Sequence, residues 1–118
     1  MKLILDIETN GFLDVLDKIH CMVFKDIETQ KVYSYNPDQI NEGLNLLKKA
    51  TLIIGHSVME FDLPAIEKVT GFKYEGEILD TLLCSRLIWS NMTEVDYTKK
   101  NLPPKLIGKH SIESWGYR

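Results

Sequence analysis

Apolar and polar positions break the chain into short runs separated by turn residues. Lys2 to Glu8 (K-L-I-L-D-I-E) is apolar and compatible with a strand, and Asn10-Gly11 marks the turn behind it. Ile19 to Phe24 predicts a second strand and Asp26 to Gln30 a polar turn. Lys31 to Tyr35 alternates polar with β-branched or aromatic residues and predicts a third strand. A helix then opens at Pro37 or Asp38, with Ile40, Leu44 and Leu47 on one face. Thr51 to Ile54 predicts a short buried strand ending at Gly55. Pro64 suits the first turn of a helix that runs to Thr70 and stops at Gly71. A strand within 73–79 is only weakly patterned. Asp80 precedes a helix with a broad apolar face, Thr81 to Trp89. Residues 90–109 hold two adjacent prolines and four lysines and read as a loop. His110 to Trp115 begins a last short helix, ended by Gly116. Three strands joined by short turns suggest an antiparallel meander. The strand at Thr51 follows a helix and is expected parallel to the first. The fold class is α/β, in a single domain over 1–118.

Composition narrows the class without naming a function. The 118 residues are 44% hydrophobic and 26% charged, values of an ordinary globular chain that exclude collagen, coiled coil and disorder. No apolar run approaches the roughly 18 residues of a membrane span, so no membrane partner is expected. Asp6 interrupts the apolar stretch that a secretory signal needs. Cys21 and Cys84 form no C-x-x-C pair and read as buried free thiols of a cytoplasmic protein. The net charge of −3 hides an asymmetry: residues 97–118 carry five Lys or Arg against one acid, on an otherwise acidic chain. That basic end is either a solvated loop or a track for phosphates.

Three acidic positions stand out. Asp6 and Glu8 lie two apart on an apolar strand, so both point to one face. Paired carboxylates repel, and a divalent cation relieves them; Mg²⁺ is held by one or two carboxylates plus substrate phosphates. The alternative is that both acids sit in solvent at the strand end. Asp62 follows a strand and opens a helix, at the sheet edge where open α/β folds place ligands, or simply as an N-cap. Asp80, before Thr81, also reads as an N-cap.

In order, these segments resemble the DEDD 3′–5′ exonucleases. Asp6-Ile7-Glu8-Thr9-Asn10-Gly11-Phe12 is similar to their first motif, D-x-E-T-x-G-[LF]. His56-Ser57-Val58-Met59-Glu60-Phe61-Asp62 is similar to the second. In proofreading domains of family A polymerases from short-tailed phages, that motif reads approximately H-N-x-x-x-[FY]-D, with Asn where this chain has Ser57. Leu79-Asp80-Thr81-Leu82 through Ser85-Arg86-Leu87-Ile88 resembles the D-T-x-x-x-S-R-L stretch of the same enzymes, and Gly108 to Arg118 their stretch before the third motif. The third motif itself, Y-x-x-x-D or H-x-x-x-x-D, is absent. The resemblance therefore implies the N-terminal part of a proofreading domain: a ribonuclease-H-like mixed sheet, antiparallel then parallel, flanked by helices and truncated before the last ones.

It also implies two-metal hydrolysis of the 3′-terminal phosphodiester of single-stranded DNA, with Mg²⁺ or Mn²⁺ as the cations. Asp6 would bridge both ions, Glu8 would join it at the ion that activates water, and Asp62 would hold the other. Asp80 would lie close to this set without being a ligand. Phe12 takes the place of an apolar wedge beside the terminal base, or packs in the core. Thr9, Asn10, His56 and Ser57 border the substrate, His56 through local hydrogen bonds rather than as a base. Lys99, Lys100, Lys105 and Lys109 would follow the phosphates. Trp89 and Trp115 read as core. The expected partners are a DNA 3′ end, the remainder of a polymerase chain, and a second copy through the truncated edge. A non-catalytic module that binds single-stranded DNA or a partner chain, and a free-standing RNase, are the competing readings.

Overall fold

Along the first strand Leu3, Leu5 and Ile7 are buried while Lys2, Ile4, Asp6 and Glu8 are exposed, the period of two that a strand with one covered face imposes. The computed structural model describes residues 1–118, which form two compact units, Met1–Asp80 and Thr81–Arg118. The first unit runs β1 (Lys2–Thr9), β2 (Ile19–Asp26), β3 (Val32–Tyr35), α1 (Ile40–Lys49), β4 (Leu52–Gly55), a π-helical turn (Val58–Asp62), α2 (Leu63–Thr70) and β5 (Glu77–Asp80). The five strands form one sheet in the order β3-β2-β1-β4-β5. β1 pairs antiparallel with β2 and parallel with β4, while β2–β3 is antiparallel and β4–β5 parallel. This is the mixed α/β sheet expected from the sequence, compatible with a ribonuclease-H-like fold. The weakly patterned fifth strand exists and carries Asp80 at its end.

The core lies on the covered face of this sheet. Leu3, Met22, Phe24, Leu47 and Ile53 are fully buried there, with Ala65 and Ile66 of α2. α1 starts later than its proline suggests. The Asn36 side chain accepts from Asp38 N (3.0 Å) and Gln39 Oε1 accepts from Asn36 N (3.2 Å). This capping box closes a 3₁₀ turn, Pro37–Gln39, ahead of the α-helix. α2 stops where expected, with Gly71 at φ 78° in the left-handed region that glycine adopts freely.

The second unit comprises α3 (Thr81–Ile88), α4 (Met92–Asp96), a 3₁₀ turn (Pro104–Leu106) and α5 (Ile112–Tyr117). Residues 90–109 are thus not loop throughout, because Met92 and Asp96, one turn apart, are both buried and demand a helix. The last helix is capped by Ser111, whose side chain accepts from Ser114 N, and it runs through Gly116 rather than ending there. The apolar face of α3 is not a core face: Ser85 is its buried residue, and Leu87 is 82% exposed. Ser85 faces inward because its hydroxyl has two partners: it shares a hydrogen bond with His110 Nδ1 (2.6 Å) and accepts one from Trp115 Nε1 (2.8 Å). Trp89 is exposed and Trp115 half-buried, their rings edge-on at 5.0 Å, so neither is a core residue. Cys21 and Cys84 are free thiols, half-buried rather than buried. No helix is long and apolar enough to cross a membrane.

Candidate active site

β1 is longer than β4, and the site forms where the difference leaves backbone unpaired. Parallel pairing runs from Lys2–Leu52 to Ile4–Ile54, and β4 ends at Gly55. Beyond it the N–H of Ile7 has no strand to meet. The carboxylate of Asp62 takes that place, its Oδ2 accepting from Ile7 N at 3.2 Å. Asp62 therefore does not cap α2 with its side chain. It is spent on β1, at the residue between Asp6 and Glu8.

The chain between Gly55 and Asp62 is shaped by close packing. A Cβ on Gly55 would lie 2.8 Å from Val58 Cβ and 3.0 Å from Leu5 O, so only glycine lets the fully buried Val58 close over the strand end. Ser57 pays for the turn with φ 62°. Asparagine, enriched in this left-handed region, would sit at this position with less strain than serine. The carboxylate of Asp80, paired with Gly55 across β4–β5, accepts from Ser57 N and Met59 N, each at 3.0 Å.

Electrostatically, Asp62 is the unusual group. Burial pushes its carboxyl up to about 7, and the neighbouring charge of Asp6 adds to this, with Asp80 contributing less. The bond from Ile7 N–H favours the charged form and opposes the rise without cancelling it. Asp6 and Glu8 are exposed on the uncovered face. No group of three or more His, Cys, Asp or Glu side chains is gathered closely enough to hold a metal ion; the acids that influence one another are Asp62, Asp6 and, more weakly, Asp80.

Next to them lies a shallow cleft lined by Ile7, Glu8, Thr9, Gly11, Phe12 and Phe61. Its rim is rigidly built. The β1–β2 pairing slips by one residue between Glu8 and Thr9, leaving His20 over, and this turns the chain into the 10–18 loop. Asn10 Oδ1 accepts from Asp17 N and Lys18 N (both 3.1 Å), and Thr9 Oγ1 donates to Gly11 O (2.8 Å). Both side chains thus brace the loop. Lys68 Nζ donates to Leu13 O (2.8 Å), and Leu16, 1% exposed, anchors the loop in the core. Phe12 is left 82% exposed, which removes the core reading of this residue. Phe61 was not singled out from the sequence. Its signal is its place immediately before Asp62, which puts its ring in the same cleft.

The chain is 35% identical over 130 residues to the DNA-directed DNA polymerase of Enterobacteria phage T3, covering 98% of this chain. It is also 35% identical over 127 residues to that of Escherichia phage T7, covering 96%. Along nearly its whole length, this chain is similar to phage DNA polymerase. It spans only 18% of the length of either relative. No protein-family model matches it. The likeness to the phage polymerases takes in both units, including the basic end. There Lys99, Lys100, Lys105 and Lys109 are all exposed, with Lys105 Nζ 3.9 Å from Glu113. His56 is half-buried just past β4.

Proposed function

We propose that this chain is the N-terminal part of a polymerase proofreading domain and acts on the 3′ end of single-stranded DNA as a 3′–5′ exonuclease. One observation carries the reading. A buried carboxylate, Asp62, is bonded to the backbone between Asp6 and Glu8, beside a cleft with two aromatic rings. The similarity to phage DNA polymerases supplies the substrate class.

Asp6, Glu8 and Asp62 do not form a ready-made three-ligand cluster, but Asp62, raised by burial and by Asp6, is a group whose charge a cation would stabilise. Asp6, Glu8 and Asp62 would hold two ions, Mg²⁺ or Mn²⁺, with substrate phosphates completing the coordination. When bound, the ions supply a water of lowered pKa and stabilise the charge of an in-line displacement. The chain's own contribution is placement. Phe12 and Phe61 offer two apolar faces to a terminal base, a contact that tolerates any sequence. The braced 10–18 loop holds Phe12 outward before substrate arrives, so little ordering remains to be done on binding.

The test is a 5′-labelled single-stranded oligonucleotide incubated with the chain and Mn²⁺. Stepwise shortening from the 3′ end, abolished in Asp6→Ala, is the expected result. An oligonucleotide that is retarded in a gel but never shortened would instead support the non-catalytic binding module.

A further inference from the structure

The carboxylate of Asp80 spans the start of the segment that delivers Asp62. Its two oxygens accept from Ser57 N and Met59 N, each at 3.0 Å, and the residue is 4% exposed. Those amides flank Val58, the first residue of the π-helical turn that ends at Asp62. Helix starts leave their first N–H groups without backbone acceptors, and an acidic side chain from a distant strand fills that need here. Ser57, held at φ 62°, is the residue in this segment most easily lost to a relaxed conformation. The segment is thus fixed at three points: Val58 against Gly55, Asp80 on the amides of Ser57 and Met59, and Asp62 on the amide of Ile7.

We infer that Asp80 is a positioning residue for Asp62: by clamping the amides of Ser57 and Met59 it sets where the turn ends, and therefore where the Asp62 carboxylate meets β1. The role in ion binding rests on the reading of Asp62 given above; the role in placing Asp62 does not. Asp80 belongs to β5, 18 residues beyond Asp62 in the chain, and reaches the turn because β4 and β5 are in register at Gly55–Asp80. An asparagine in its place keeps the shape but turns one acceptor into a donor facing a donor.

The experiment compares the ¹⁵N-labelled chain with Asp80→Asn by amide hydrogen exchange and Mn²⁺ titration. Faster exchange is expected at Ser57 and Met59 and also at Ile7, whose amide reports the Asp62 bond, while Phe24 and Leu47 keep their protection. Mn²⁺ affinity is expected to fall tenfold to a hundredfold, as when partners that orient metal ligands are removed. Should Asp80→Asn fold poorly, the same measurements are made with Ser57→Gly added, which relieves the left-handed strain and keeps the substitution at Asp80. Loss of protection at Ser57 and Met59 with Ile7 protection and Mn²⁺ affinity unchanged would overturn the inference, leaving Asp80 a cap alone. Failure of the unsubstituted chain to bind Mn²⁺ would sink the ion reading, and the Ile7 amide would then decide whether Asp80 places Asp62.

Discussion

Asp62 in the sheet unit and Asp96 in the helical unit are both buried carboxylates, 5% and 1% exposed, yet their acidities move in opposite directions. Asp62 is buried, accepts from the N–H of Ile7 and faces the like charges of Asp6 and Asp80, and it is pushed up to about 7. Asp96 is gripped in two places by Arg118, Nε to Oδ1 at 2.8 Å and Nη2 to Oδ2 at 2.6 Å, and also accepts from Gly108 N at 2.8 Å. Those hydrogen bonds hold its carboxyl below the usual range. Burial disfavours charge in both; the partner decides the outcome. The lesson concerns use. A carboxylate already met by a guanidinium and a backbone N–H has little to gain from a cation, although Arg118 Nη1 is itself buried without a partner, whereas an acid buried beside other acids is costly to ionise and gains from an added cation. The surroundings differ in the same sense. The sheet unit is built on apolar burial, from Leu3 to Ile66. The helical unit buries Ser85, Asp96 and Ser114 along with Met92, Leu102 and Leu106.

The most damaging way to break this contrast is Arg118→Ala. It leaves Asp96 buried without its guanidinium and is expected to cost about 3–5 kcal/mol, read as lost amide protection in residues 81–118. Replacing Leu47 by Met in the sheet unit, a change of shape at nearly constant volume, is expected to cost under about 1.5 kcal/mol in the same assay.

Next in size is the pH dependence. Asp62 binds its proton more tightly folded than unfolded, so its contribution is full below the unfolded value of 3.8 and is lost as pH rises toward about 7. The loss amounts to roughly 4 kcal/mol across that window, and Asp62→Asn should flatten it in urea titrations run at several pH values. Asp96 has the opposite sign. Its pair stabilises above the unfolded value of 3.8 and is lost as pH falls through its depressed folded value. Acid therefore weakens the helical unit while relieving the sheet unit. Millimolar Mn²⁺ should flatten the Asp62 limb and leave the Asp96 limb alone.

Phe12→Ala separates function from stability. The expected loss is about 1–3 kcal/mol of single-stranded DNA affinity, by fluorescence anisotropy, with an unchanged melting midpoint because the ring is exposed. The smallest effect is Ser57→Gly, which removes a left-handed serine and should raise stability by about 0.5–1 kcal/mol.

Much of this was legible in the sequence. The alternation in β1 fixes which side chains it covers, so Asp6 and Glu8 were readable as neighbours on one face. Gly71 as a helix stop and Asn10-Gly11 as a turn follow from backbone preferences that travel with the residue. The helical unit was less legible, since the apolar positions of α3 look like a core face and lie largely in solvent. Asp96 looked like a loop residue, and only Arg118, 22 positions on, makes it a buried one.

The chain's order of residues thus determined the strands and longer helices of the sheet unit, their succession and the mixed sheet, because periodicity and turn chemistry are local. The tertiary structure alone decided that Asp62 would bond to β1 instead of capping α2, and that Asp80 would clamp a turn from another strand. Those choices depend on where β4 ends relative to β1 and on which unpaired N–H groups are then within reach. Distance in space sets both, and no spacing along the chain encodes it.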